Sequence, residues 1–157
     1  MLNINSILGN IFKDTSLEYG NFEKLIISRI DLEKRILRKK TNLGTDIGIN
    51  LNSSTKLQHG DIIGNDKTKI IVEQMPEKVI SVKLKENDEK IAILLGHIIG
   101  NRHRPIAIKD KMILFPIQED SELEIFERLL KEIIEHIELK IKEEIFLPHT
   151  SADVHEH

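Results

Sequence analysis

The chain carries the sequence GHIIGNRHRP at residues 96–105. This stretch closes an apolar run with helical spacing, and it combines two glycines, two histidines and two arginines with a proline. Pro105 cannot continue a helix, and it disfavours helical geometry at the residue before it. We therefore predict that a helix ends within this stretch and that its end presents one imidazole, that of His103, as a metal ligand.

The two histidines of this stretch cannot chelate one ion from a single helix. Each residue turns a helix by about 100°, so His97 and His103 lie about 240° apart, whereas chelation needs an i, i+4 spacing. On a continuous helix, Gly96, Gly100 and His103 share a face instead. Two glycines four residues apart let another surface approach closely. That surface is either the protein's own sheet or the same helix of a second subunit, whose two-fold axis brings His103 next to its mate.

Helix and strand patterns surround this stretch in a definite order. A strand pattern over 79–84 precedes the helix, whose apolar face begins at Ile91 after the capping groups of Asn87-Asp88-Glu89. The patterns that follow are a hairpin over 106–115, a helix that begins with the capping box Ser121-Glu122-Leu123-Glu124, and a strand from Ile137 to about Phe146. The order strand-helix-strand-strand-helix-strand predicts a ferredoxin-like (βαββαβ) domain, with two helices on one face of an antiparallel sheet.

The first half of the chain is typical of a small all-β module. Short runs rich in β-branched residues, at 25–30, 47–51 and 70–72, are separated by glycine turns. The strand pattern breaks at Met75-Pro76-Glu77. We therefore predict an α+β protein with three parts: an N-terminal all-β domain at 1–76, a ferredoxin-like domain at 77–148 and a mobile histidine-containing tail at 149–157.

A cluster of basic residues lies within the predicted β domain. Its members are Lys34, Arg35, Arg38, Lys39 and Lys40. Charged side chains on a strand usually form a solvated face. The functional alternative is a patch that meets a partner protein, and the sequence leaves both interpretations open.

The composition limits the classes of function. The 157 residues carry a formal net charge of −3, which provides little attraction for nucleic acid. No apolar run is long enough to span a bilayer and the N-terminus lacks a signal-peptide pattern, so we expect a cytoplasmic protein without a membrane partner. No catalytic triad, nucleophile elbow or phosphate-binding loop occurs, so we expect no enzymatic activity.

Metal chemistry is restricted by the absence of cysteine, which excludes thiolate zinc sites and iron–sulfur clusters. The remaining ligands suit nickel, zinc or Cu(II) better than Cu(I). The end of the chain adds His149, His155 and His157. In an extended chain the last two point to the same side, and short histidine-rich tracts commonly bind metal. The alternative for these residues is an ordinary polar terminus.

The motif Gly100-Asn101-Arg102-His103-x-Pro105, which follows an apolar helix, resembles the UreE family of urease accessory proteins, which are nickel metallochaperones. The resemblance extends to the basic stretch 32–38 with the turn at 44–49, to residues 57–62, and to Phe146-Leu147-Pro148 followed by histidines. It therefore covers most of the chain.

This resemblance implies a homodimer with a partner- or peptide-binding β domain and a ferredoxin-like metal-binding domain. It implies that His103 of each subunit ligates Ni(II) at the interface. His149, His155 and His157 are further candidate ligands by position. Ni(II) is then cargo that passes to the accessory GTPase UreG and on to apo-urease, although the same ligands accept Zn(II) or Cu(II).

Two rival functions are open at this point. One is a protein-binding adaptor in metalloenzyme maturation, in which the β domain binds the partner and metal binding is incidental. The other is an RNA-binding ferredoxin-like domain, suggested by Arg102-His103-Arg104. The negative net charge and the lack of paired aromatic residues on the strands count against RNA.

Overall fold

The computed structural model describes residues 1–14 and 20–149. The chain is a mixed α+β protein. It divides into two compact units, Met1–Met75 and Pro76–His157, which we call the N-terminal and C-terminal units. The division falls where the strand pattern of the sequence breaks.

The N-terminal unit consists of two sheets that share one apolar core. Its elements are β1 (Leu2–Ile4), β2 (Gly9–Asn10), β3 (Glu23–Ile27), α1 (Arg29–Leu32), β4 (Ile36–Lys40), β5 (Asp46–Asn50), β6 (Asp61–Gly64) and β7 (Lys69–Gln74). The strand orders are β1-β5-β4 and β2-β6-β7-β3. Alternate residues of the central strands, such as Ile47 and Ile49 in β5 and Ile70 and Val72 in β7, are buried in that core.

One predicted strand in this unit is wrong at its C-terminal end. The run 25–30 predicts a continuous strand, but β3 ends at Ile27 and α1 begins at Arg29. Ser28 caps this helix, since its Oγ accepts a hydrogen bond from the Asp31 amide at 3.2 Å. The cap redirects the chain after β3, and this local hydrogen bond outweighs the strand preference of Ile30.

The C-terminal unit has the order of elements that its sequence predicts. The elements are β8 (Glu77–Leu84), α2 (Glu89–Gly100), β9 (Ala107–Lys109), β10 (Met112–Pro116), α3 (Glu122–Leu129), a 3-10 turn (Ile134–His136) and β11 (Ile137–Glu144). The sheet has the order β11-β8-β10-β9, and all its neighbouring strands are antiparallel. Asp110 and Lys111, both with left-handed φ, form the two-residue turn between β9 and β10.

The two helices of this unit begin in different ways. Of the three predicted capping residues, Asp88 caps α2, because its carboxylate accepts hydrogen bonds from the amides of Lys90 and Ile91. The predicted capping box at Ser121 is wrong, since the Ser121 side chain makes no cap hydrogen bond. A turn before α3 already gives Ser121 helical backbone angles, so its hydroxyl is not in the capping position.

The second predicted helix carries an apolar stripe at helical spacing, formed by Leu123, Phe126, Leu130, Ile133 and Ile137. The burial of this stripe is confirmed, although the helix itself is shorter. α3 ends at Leu129, yet Leu130 and Ile133 stay buried in the same core as Ile80 and Val82 of the sheet. α2 and α3 therefore cover the sheet with their apolar side chains, and α2 leads directly to the candidate site.

None of the described helices is long and apolar enough to cross a bilayer.

Candidate metal-binding site

α2 has one buried face and one exposed face. Ile91, Leu95 and Ile99 are buried in the core of the C-terminal unit. The opposite side is exposed at Ile93, Gly96, His97 and Gly100, which we call the open face of α2, and Ile93 keeps 72% of its surface. An i, i+3, i+4, i+7 spacing places these four residues in one stripe along the helix.

The two glycines of the open face adjoin empty space. A Cβ atom built on Gly96 or on Gly100 meets nothing within 4 Å in the described part of the chain. The interpretation that these glycines let the helix sit close on its own sheet is therefore wrong. What the structure leaves at this face is a strip without side-chain bulk at its two glycines, which a second surface can reach.

His103 lies just beyond the end of α2, in a turn. The helix ends at Gly100, and the amides of Asn101, Arg102 and His103 donate to the carbonyls of His97, Ile99 and Gly100 at 3.0–3.1 Å. His103 is exposed and has a φ of +53°, in the left-handed region. The predicted common helix face of Gly96, Gly100 and His103 is therefore wrong in its geometry, because helical backbone angles stop before His103.

The left-handed backbone at His103 is uncommon for a residue with a Cβ atom. This region at a helix C-terminus is normally filled by glycine, and a residue with a Cβ atom costs about 1 kcal/mol there. Such strain is kept where the surrounding structure holds it in place, and it often occurs at functional sites. The contacts of the next residue identify what holds it here.

Arg104 anchors the turn to the rest of the C-terminal unit. Its Nη1 donates to the Pro116 carbonyl at 3.0 Å, and its Nη2 donates to the Glu122 carboxylate at 2.5 Å. Its guanidinium carbon also lies 5.2 Å from the centre of the Phe126 ring. The planar, forked guanidinium suits these three contacts together, which a lysine could not reproduce.

Glu122 ties this anchor to the start of α3. One of its carboxylate oxygens binds Arg104, and the other accepts hydrogen bonds from the amides of Gln118 and Glu119 at 2.6 and 3.3 Å. Burial acts to raise the pKa of Glu122, but these amide donors and Arg104 outweigh it and lower the pKa below 4.5. Glu122 is therefore ionised at neutral pH. Its ion pair with Arg104 holds Arg104, the residue that follows His103, in place.

We predict that Arg104→Ala destabilises the protein by about 1.5–3 kcal/mol, since it removes hydrogen bonds to a carboxylate whose side chain is only 17% exposed. Urea unfolding at pH 7 measures this loss. The stabilisation by the Arg104–Glu122 pair is present at neutral pH and is lost as the pH falls through the lowered pKa of Glu122. Arg102→Ala is the matched control, because Arg102 is exposed and has no side-chain partner among the described residues. Equal effects of the two substitutions would contradict the anchor.

The end of the described chain lies beside the same segment. The His149 amide donates to the Ile106 carbonyl at 2.8 Å, and His149 is exposed. Ile106 is three residues after His103, a separation that covers at most about 11 Å along the chain. The structure therefore brings His149 near the turn of His103. His155 and His157 lie outside the described residues, so their part in a site stays a prediction.

No single copy of the described chain assembles a complete metal shell. Within residues 1–14 and 20–149, no three histidine, aspartate or glutamate side chains form a group that could hold an ion. His97 is on the open face, with its Nε2 3.3 Å from the side-chain Nδ2 of Asn101. His59 is bound within the N-terminal unit, where its Nδ1 accepts the Gln74 amide proton at 3.0 Å and its ring lies against Phe12.

The fold and the site define a two-unit α+β protein that exposes a histidine at the end of an open helix face. A family model described as the N-terminal domain of the UreE urease accessory protein matches residues 4–74. The urease accessory protein UreE of Streptococcus vestibularis is 30% identical to the chain over 148 residues, which cover 94% of the chain and 95% of that protein.

Relatives from staphylococci have higher identity over slightly shorter segments. The UreE protein of Staphylococcus saprophyticus is 35% identical and covers 88% of the chain and 91% of its own length. That of Staphylococcus epidermidis is 38% identical and covers 83% of both. The chain therefore belongs to the UreE family of urease accessory proteins.

Proposed function

We propose that the protein is a nickel carrier for urease maturation. In this proposal it forms a homodimer through the open face of α2 and holds Ni(II) as cargo with His103 from each copy. It then transfers the ion to the accessory GTPase UreG, which serves apo-urease in the cytoplasm. The observation that carries the proposal is the open glycine face, which ends at an exposed histidine in an anchored turn.

The open face supports a dimer in which the two helices come close together. Ile93 provides exposed apolar surface, and the absence of side chains at Gly96 and Gly100 allows a helix backbone to approach closely. In this dimer the two-fold axis passes beside Gly100. It brings the two copies of His103 close together, because His103 is only three residues from Gly100 in each copy. In this arrangement each copy contributes one imidazole to a shared site.

The rest of the metal shell comes from the end of the chain in this proposal. His149 is already held near the turn of His103 by its hydrogen bond to Ile106, and His155 and His157 follow it in the sequence. Ligands that arrive from a separate segment can leave one at a time, which suits delivery of an ion better than permanent storage. Because an imidazole must be neutral to ligate, nickel binding weakens in acid.

The choice of nickel rests on the urease connection. Imidazole ligands also accept Zn(II) and Cu(II), so the ligand set alone does not select the metal.

The strand order of the C-terminal unit, with the first strand of the motif central and the last at an edge, supports its assignment as a ferredoxin-like domain. That assignment makes the C-terminal unit the metal-binding and dimerisation domain of the proposal.

Native mass spectrometry with and without Ni(II) tests the proposal, because it counts subunits and ions together. We expect a dimer with one or two nickel ions, and we expect a chelator to return it to the metal-free form. A variant that ends at Pro148 should still dimerise but bind nickel about 10-fold or more weakly, since it lacks the three terminal histidines. A nickel-loaded monomer would contradict the shared site, and unchanged affinity in the truncated variant would remove the terminal ligands from it.

A further inference from the structure

Three residues of the basic cluster, Arg38, Lys39 and Lys40, lie on the edge strand of a sheet in the N-terminal unit. β4 is the last strand in the order β1-β5-β4, and β5 is its only strand partner among the described residues. An edge strand offers a row of backbone groups that another extended chain can bind. We call Ile36–Lys40 the basic edge.

Alternate residues of the basic edge direct their backbone groups outward. The Arg35 carbonyl accepts a hydrogen bond from the Leu51 amide, and the Thr41 amide donates to the Thr45 carbonyl. In an antiparallel ladder the hydrogen-bonded positions alternate, so between these two ends the residues bonded to β5 are Leu37 and Lys39. The N–H and C=O groups of the even-numbered residues, Ile36, Arg38 and Lys40, therefore point away from β5.

The same three residues have exposed side chains. Ile36 is 67% exposed, the Arg38 side chain is 72% exposed and Lys40 is exposed, whereas Leu37 on the other face packs against the core. The outward face of the basic edge thus presents an apolar group and two positive charges at alternate positions. A strand added at this edge would place its own alternate side chains beside them.

The strand is held in place before any partner arrives. The Glu23 carboxylate accepts hydrogen bonds from the Thr41 and Thr45 hydroxyls, both at 2.6 Å, and these bonds lower the pKa of Glu23 so that it is ionised at neutral pH. Asn42 bonds to the backbone of Lys24 through both its amide and its side chain. The hairpin end of the edge is therefore pre-ordered, which reduces the entropy lost on binding.

Charge decides which kind of strand fits. Residues 29–46 contain six basic and three acidic residues, a net charge of +3 in a chain whose net charge is −3. Like charges opposite each other destabilise a strand pair, so a second copy of the basic edge is disfavoured. Asp46 binds Arg38 through two hydrogen bonds, which demonstrates that this position accepts a carboxylate.

We propose that the basic edge binds an extended acidic segment of a partner protein as an added β-strand. The segment carries acidic residues at two alternate positions, beside Arg38 and Lys40, and an apolar residue at the next alternate position, beside Ile36. Backbone hydrogen bonds to the outward groups of β4 supply affinity, and the charges select the acidic sequence. This binding does not depend on nickel or on the proposed dimer.

Fluorescence anisotropy of the full chain with a labelled heptapeptide tests the proposal. The probe is Thr-Glu-Thr-Glu-Thr-Val-Thr, whose glutamates and valine meet Lys40, Arg38 and Ile36 in that order when the peptide adds antiparallel to β4. Its control has lysine in place of both glutamates. We expect the unchanged protein to bind the acidic peptide and not the lysine control. The double variant Arg38→Glu with Lys40→Glu should bind the acidic peptide at least about 10-fold more weakly than the unchanged protein. Asp46→Asn, which frees Arg38, should bind it about two- to five-fold more tightly. Equal binding of the two peptides, or unchanged affinity in the double variant, would overturn the proposal.

Amide hydrogen exchange by NMR separates strand addition from attraction by charge alone. We expect the amides of Ile36, Arg38 and Lys40 to become protected when the acidic peptide binds. Ile36→Pro, which removes one outward N–H and is tolerated on an edge, should bind more weakly than Ile36→Ala, which keeps it. Binding without this protection, or equal binding of an RNA oligonucleotide, would replace the added strand with a general anion surface. The double charge variant should bind nickel normally, so failure here is distinguishable from failure of the nickel proposal.

Discussion

His103→Ala is expected to lower the affinity of the protein for Ni(II) by at least about 100-fold. Changing even a residue that only supports a metal ligand costs about 10–100-fold in affinity, and this substitution removes a ligand itself. In the proposed dimer the loss occurs twice, once in each copy. Calorimetry of nickel binding at constant pH measures the change, and sedimentation shows whether the dimer persists.

The backbone at His103 calls for a second variant. Its φ of +53° strains any residue with a Cβ atom, but asparagine tolerates the left-handed region better than alanine does. His103→Asn therefore removes the imidazole with less disturbance of the turn, and we expect the same loss of nickel affinity. His136→Ala is the matched control, because His136 is an exposed histidine elsewhere in the C-terminal unit. Nickel affinity within two-fold of the unchanged protein in both His103 variants would end the carrier proposal.

Replacing both Gly96 and Gly100 by leucine is expected to dissociate the dimer while leaving the protomer folded. In the protomer the new side chains enter open space, and leucine favours a helix over glycine by about 0.5–1 kcal/mol per position. In a close helix–helix interface the same side chains overpack, at a typical cost of about 1–3 kcal/mol each. Because a two-fold interface contains every substitution twice, the dissociation constant should rise at least about 100-fold.

Sedimentation equilibrium measures the expected rise in the dissociation constant of the dimer. Urea unfolding measures the stability of the protomer, which should not fall. The control is Glu127→Leu, which adds the same side chain to an exposed position of α3. We expect it to leave the dimer intact. A dimer of unchanged strength in the double glycine variant would place the interface on another surface. Loss of folding in that variant would contradict the open space seen beside the glycines.

Local patterns predicted much of the C-terminal unit. The capping groups before α2, the hairpin over 106–115 and the buried stripe through Phe126 and Leu130 all depend on residues within a few positions of one another. Such signals act through short-range hydrogen bonds and side-chain periodicity, which a sequence displays directly. They also locate the end of α2 near Pro105 and identify His103 as the candidate ligand.

The anchor of the candidate site could not be predicted in this way. Arg104 and Glu122 are 18 residues apart, and only the packing of α3 beside the turn brings them together. The same limit applies to the hydrogen bond between His149 and Ile106. Ser121 illustrates the reverse case, in which a correct local motif failed because the preceding turn had already fixed the backbone.

The sequence by itself determined the α+β class, the order of elements in the C-terminal unit and the residue types available for metal binding, because each of these depends on local periodicity or on composition. Only the tertiary structure decided which face of α2 is open among the described residues, where helical geometry stops before His103, and that β4 lies at the edge of its sheet. These properties depend on which surfaces other segments cover. Which surfaces become covered is set by contacts between residues far apart in the chain, and local sequence patterns do not reveal those contacts.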